Sequence, residues 1–221
     1  MPALINKYND KVLITAAKRS YSIVTNAFNK WNSENDVVGD YTYFWLSLSS
    51  SDEVTKEFAK ELNAAAICTN FNVNKCGGEY TVKYAKKTND GNGNTDTQKI
   101  MNYRRIVLAD GSFISLQNEV QNGSCTHQYF VPDRDADGNY IKDPSSPTGN
   151  KGEYKTSSNC GFIHIDTNGL KGPNQVGKDF FTIGVSQNNG YWSDSEKYGN
   201  LEYVLANDKL IETERYEIGK Y

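Results

Sequence analysis

The stretch Asp166-Thr-Asn-Gly-Leu-Lys-Gly-Pro-Asn-Gln-Val-Gly-Lys-Asp179 stands between two apolar runs, 161–165 and 180–185, and constrains how both can be used. It is too polar and too rich in glycine for a buried strand, so it is predicted to be an ordered loop joining two strands of one sheet. Asp166 and Asn168 can bond the backbone of the turn they begin, Gly169 and Gly172 allow positive φ, and Pro173 restricts the chain just before Asn174. Gly177 and Asp179 close the pattern.

The other long-range signal lies at the N-terminus. From 3 to 31 there is no proline or glycine, and Leu13, Ala17, Tyr21, Val24, Phe28 and Trp31 recur at three- and four-residue steps. Such a stripe predicts a helix with one apolar face, while Lys7, Lys11, Lys18 and Lys30 fall largely elsewhere. The stripe strengthens toward Trp31, as expected if that half lies on a sheet and the first half projects.

A second helix is expected from Ser50, whose hydroxyl can cap it while Glu53 reaches back, with Val54, Phe58, Leu62 and Ala65 on one face up to Cys68. The aromatic run 41–46 before it reads as a strand or a packed loop. Beyond Cys76 the texture is of strands at 80–84, 101–109, 112–117, 128–131, 162–165 and 180–185. Asp110-Gly111 predicts a two-residue hairpin of type I′, with positive φ at both positions. Segments 89–96 and 144–155 read as exposed loops.

The pattern D-x-N-G-x-K-G-P-N-x-x-G-x-D of 166–179, the upstream Asp-Gly hairpin and the helical N-terminus together resemble a bacterial prepilin-like family, the subunits of type IV pili and the pseudopilins of type II secretion. The resemblance covers the first ~35 residues and roughly 100 to 186. It implies an α+β fold in which a long N-terminal helix (1–35) packs on an antiparallel sheet of a head domain (36–221), the two forming one domain. In that family about twenty apolar residues precede a proline placed like Pro2, a length fitted to crossing a bilayer. Read this way, the chain is the part that follows the membrane-spanning half.

An exported setting bears on the four cysteines, Cys68, Cys76, Cys125 and Cys160, whose even number favours two disulfides. Three pairings exist; the simplest joins Cys68 to Cys76, stapling the end of a helix, and Cys125 to Cys160. The competing reading gathers Cys125, His127, Cys160 and His164 around zinc, although C-x-H and C-x-x-x-H fit no common zinc module. Carboxylates at alternate positions in Asp133-Arg-Asp-Ala-Asp-Gly-Asn139 make Asp133, Asp135 and Asp137 candidate calcium ligands, helped by Asp143 or a carbonyl. An EF-hand is excluded, because Pro144 stands where its bidentate Glu belongs. Asp166, Asn168, Asn174 and Asp179 could also offer oxygens to a metal, but Lys171 and Lys178 can neutralise the carboxylates, and fixing the loop explains these residues without one.

A net charge of -3 without long runs leaves no electrostatic footprint for nucleic acid, and no catalytic motif of the elbow, zincin or phosphate-loop kind is present. With 15 Tyr, 18 Gly and 37% hydrophobic residues, the surface reads as loop-rich and extracellular. An enzyme is not expected, and the resemblance implies a structural protein that packs Leu4, Ile5, Tyr8 and Val12 against other pilin or pseudopilin subunits. It would be anchored in the inner membrane before assembly and act in the periplasm, at the cell surface or outside. The alternative is a secreted calcium-dependent adhesin module using the Tyr-rich loops.

Overall fold

The computed structural model describes residues 2–68, 76, 81–89, 94–99, 104–135, 139–187, 190–192 and 199–213, with the backbone alone at 2–7, 86–89, 94–99 and 192. The first helix, α1 (Pro2–Glu34), runs 33 residues, about 50 Å at 1.5 Å per residue. Its buried line is Ile14, Ala17, Ser20, Val24, Ala27, Phe28 and Trp31, a stripe of helical period. Leu13 and Tyr21 sit on its flanks, half-buried, because the stripe is turned by about one residue from the expected one. A left-handed residue, Asp36 (φ 57°), stops the helix where glycine is more usual. The amide of Val37 then bonds the Asn32 carbonyl at 2.9 Å and that of Asp36 bonds Ser33.

The aromatic run 41–46 is neither strand nor loop. It holds a one-turn helix, α2 (Tyr43–Leu46), started by Asp40, whose Oδ1 accepts from the Thr42 amide and hydroxyl at 2.8 Å and from the Tyr43 amide at 3.2 Å. That turn drives Phe44 and Trp45 fully into the core against Phe28. Helix α3 (Ser51–Lys60) is capped by Ser50 as expected, while the Glu53 carboxylate reaches one residue further back, to the amide and hydroxyl of Ser49. It ends earlier than its apolar spacing suggests. Leu62 lies in the following turn, and Ala65 belongs to a strand, β1 (Ala64–Cys68), so Cys68 ends a strand and not a helix. Pairing of Ile67 with Ile106 outweighs the helix preference of three consecutive alanines.

Strands β4 (Arg105–Leu108), β5 (Phe113–Asn118), β8 (Asn159–Asp166), β9 (Phe180–Ser186) and β10 (Gly190–Trp192) join β1 in an antiparallel sheet of order β1-β4-β5-β8-β9-β10. The chain is thus α+β, an N-terminal helix against a six-stranded sheet. Register aligns Ile106 with Ile114, Ile114 with Ile165, Leu116 with Ile163, and Ile163 with Ile183, so one face is a continuous apolar plane under α1. Helix α4 (Leu201–Asn207) adds Leu201 and Val204 to the same core.

Two ribbons stand apart from the sheet. β2 (Thr81–Asn89) pairs with β3 (Asn94–Lys99), and β6 (His127–Pro132) with β7 (Gly152–Ser157). Both correct the expected loops. Asn89 and Asn94 face each other at the end of the first ribbon, and 152–157 carries no apolar alternation because β7 is solvated on both faces. The β4–β5 turn also departs from type I′. Only Gly111 (φ 88°) is left-handed; Asp110 keeps negative φ and accepts from the Ser112 amide and hydroxyl. With Gly111 N–H on the Leu108 carbonyl, this is the three-residue loop that ends in a left-handed glycine.

Gly161 is where α2 meets the sheet. A Cβ there would lie 2.3 Å from the Trp45 ring and 2.6 Å from the Gln117 carbonyl, so Gly161→Ala is expected to lift Trp45 off β8 and cost about 1–3 kcal/mol. Phe28→Ala, which empties the space between Phe44, Trp45, Phe58 and Tyr191, should cost about 3–5 kcal/mol. Denaturant titration checks both; losses below ~0.5 kcal/mol, the usual range of a surface change, would show that this seam is not the core.

Candidate functional site

The loop between β8 and β9 is built as its side chains suggest. Asp179 is fully buried, and its two carboxylate oxygens accept the amides of Asn174 at 2.8 Å and Gln175 at 2.7 Å, while its carbonyl accepts the Thr167 amide at 2.8 Å. Asp166 accepts the Asn168 amide, and the Asn168 side chain donates to the Gly172 carbonyl, both at 3.2 Å. The Asn174 side chain, oriented with its nitrogen toward them, donates to the Gly169 and Lys171 carbonyls at 3.1 Å. Burial pushes the Asp179 carboxyl up from the usual carboxylate range, and the amides of Gln175 and Asn174 with the Asn168 side chain hold part of that rise back. Its partners are therefore amides and not Lys171 or Lys178.

The glycines divide differently from expectation. Gly169 (φ 65°) and Gly177 (φ 83°) are left-handed, as is Asn174 (φ 48°), whereas Gly172 is not and precedes Pro173 through a cis peptide. A Cβ on Gly169 would meet the Gly111 carbonyl at 2.2 Å, which seats the loop against the β4–β5 turn. Its other contact has no counterpart in the sequence pattern. Lys83 N–H donates to Asn174 O at 2.8 Å, Val176 N–H to Lys83 O at 2.9 Å, and the Gln175 side chain to Tyr84 O at 3.2 Å. Through this short parallel bridge the loop holds β2 over the sheet face opposite α1, and Val176 and Phe180 pack there with Val82 and Ala85. No local pattern marks Gln175 for this role, since the pairing spans some ninety residues.

Toward its N-terminus, beyond the Arg19 that pairs with Asp110 of the β4–β5 turn, α1 leaves the core. Every side chain from 8 to 12 is exposed, including Tyr8 at 69% and Val12 at 49%, and burial begins only with Ile14. A shallow depression of about 730 Å³ runs here, lined by Tyr8, Lys11, Val12 and Thr15 and closed by Lys18 with its ion-pair partner Asp208 at 2.6 Å. The side chains of Leu4 and Ile5 lie outside the described residues.

The acidic loop is engaged with itself. Asp135 accepts from the Asn139 amide at 2.8 Å, and Arg134 lies over the Tyr140 ring at 4.2 Å. Asp143 accepts from the Ser145 hydroxyl and amide, which hold its carboxyl below the usual range. Asp133 is half-buried and bonds through its backbone to Lys151 and Ile141, while Asp137 lies outside the described residues. Among the described residues no three His, Cys, Asp or Glu side chains converge as a metal site.

The cysteines stand as two pairs at disulfide distance, Cys68 with Cys76 and Cys125 with Cys160. Sulfurs joined in this way are not zinc ligands, which removes the Cys125, His127, Cys160, His164 reading. His164 instead stacks between Phe162 and Phe180 and bonds Thr182 Oγ1 at 2.9 Å.

No family model, no curated protein and no solved structure matches this chain.

Two outcomes test these arrangements. Asp179→Asn replaces one acceptor by a donor facing a backbone amide, so it should cost about 1–3 kcal/mol and speed hydrogen exchange at Asn174, Gln175 and Lys83 ahead of the rest of the sheet. Uniform protection across loop and sheet would contradict the docking role. Burial also lowers the His164 pKa from 6.5 to about 4. The unfolded chain then takes up its proton first as pH falls below 6.5, so stability declines toward pH 4 and levels off beneath it, by something of the order of 1 kcal/mol per pH unit. His164→Gln should flatten that decline in thermal melts; an unchanged slope would mean the ring is protonated in the fold.

Proposed function

We propose that this chain is a structural subunit of a filament of the type IV pilus or type II secretion pseudopilus kind, joined to other such subunits through α1. The observation that carries the reading is the division of that helix. From Ile14 to Trp31 it buries a full stripe, yet Tyr8 and Val12 stay in water on a segment that nothing described in the head covers. Exposed apolar side chains on a helix that extends past its own core favour a helical partner, since packing them removes apolar surface from water at about 25 cal/mol per Å². The docked loop with the pattern D-x-N-G-x-K-G-P-N-x-x-G-x-D supports the same reading. Its role is to keep the head rigid around the sheet. No helix among the described residues is long and apolar enough to cross a membrane. In this proposal the subunit is held at the inner membrane before assembly and acts in the periplasm or at the cell surface.

Tyr8→Asp combined with Val12→Asp separates assembly from folding. Both sites are exposed, so the melting temperature of the chain should move by no more than surface changes do, about 0.5 kcal/mol each. In producing cells, filaments sheared from the surface or recovered from the periplasm should contain the native protein and lose the double variant. Native protein absent from every filament fraction, or a double variant incorporated as well as the native chain, would overturn the proposal.

A further inference from the structure

The β6–β7 ribbon carries a second surface, independent of α1. Among the described residues β7 pairs with β6 alone, and all of 152–156 is exposed, so its outer edge offers backbone N–H and C=O groups to water. Charged side chains and proline are the usual guards of such an edge. This one has no proline, and its charges are of opposite sign. It reads Glu153-Tyr154-Lys155, with the two charges on one face, 2.9 Å apart, and Tyr154, 58% exposed, on the other.

We propose that β7 is a self-association edge, to which a second copy of this chain adds its own β7 antiparallel, centred on Tyr154. In that register Glu153 stands opposite the partner's Lys155, and Lys155 opposite the partner's Glu153, with directly opposed Cβ atoms about 5 Å apart. On the other face Tyr154 meets the partner's Tyr154. Phe130 already lies edge-on to Tyr154 at 5.3 Å, with its ring over Gly152, so the pairing extends a two-ring contact into a row of four.

The backbone selects this register. Outward-pointing amides alternate along a strand, so two copies of one edge can shift only in steps that keep the same residue parity in contact. A step one way centres the pair on Glu153 and opposes two carboxylates; a step the other way centres it on Lys155 and opposes two ammonium groups. Of these three registers the one about Tyr154 places unlike charges together, and it is isologous, so it closes as a dimer. One short strand buries less than the ~1,000 Å² of a stable interface, which makes the contact weak and reversible.

Sedimentation velocity on the disulfide-intact chain tests it. The wild type should be monomeric at low concentration and show a rising weight-average coefficient at about 0.1–1 mM, as befits an interface of this size. Glu153→Lys and Lys155→Glu, both at exposed positions and expected to melt with the wild type, should each abolish that rise. An equimolar mixture of the two should restore it, because in the mixed pair every charge meets its opposite. A wild type that stays monomeric throughout would overturn the proposal and leave the edge to a strand from another protein. Single variants that associate like wild type, or a mixture no better than its components, would overturn it by placing any contact elsewhere, with Tyr8 and Val12 variants then deciding whether α1 is responsible.

Discussion

Phe28 is the point through which the fold is tied together. Its ring touches Phe44 and Trp45 of α2, Phe58 of α3 and Tyr191 of β10, so one side chain on α1 joins two other helices and the edge of the sheet. Because aromatic rings bury large areas and prefer tilted or edge-on contacts, such a cluster sets orientation as well as energy. The bare backbone of Gly161 completes it by letting Trp45 lie flat on β8. Everything on this side of the sheet follows from α1 having one buried stripe, and the exposure of Tyr8 and Val12 follows from where that stripe stops.

The opposite face is held by different physics. Val82, Ala85, Val176 and Phe180 form a small second cluster that would not by itself position the β2–β3 ribbon. The polar loop 166–179 does so, because its own shape is settled by Asp179 and Asn174 before it meets Lys83 and Tyr84. A buried carboxylate surrounded by backbone amides is expensive to desolvate yet leaves few alternative loop conformations, which favours rigidity over raw stability.

Much of this architecture is legible in the amino-acid sequence. α1, the Ser50 cap, the ordered loop and most strands of the main sheet carry local signatures: period, cap chemistry, turn residues and apolar runs. Other elements escape such a reading because non-local contacts decide them. The alanines of β1 prefer a helix until Ile67 finds Ile106; the aromatic run of α2 reads as a strand or a packed loop until Asp40 gathers the amides of Thr42 and Tyr43; β7 has no periodicity because neither of its faces is buried. The same limit governs the sites. The Asx residues of the loop are recognisable individually, but the bond from Gln175 to Tyr84 is not, and neither is the open edge that gives Glu153-Tyr154-Lys155 its meaning.

The pair Cys125–Cys160 has a mechanical consequence. These cysteines stand at the two ends of the excursion that contains β6 and β7, separated by 35 residues in sequence. If the molecule is pulled along its chain, tension passes from Cys125 to Cys160 through the sulfur bridge and never enters the ribbon. Roughly 120 Å of contour length, at about 3.5 Å per residue, is thereby withheld from extension. The ribbon hangs beside the line of force as an unloaded appendage, free to make and break weak contacts while the body that carries it bears strain.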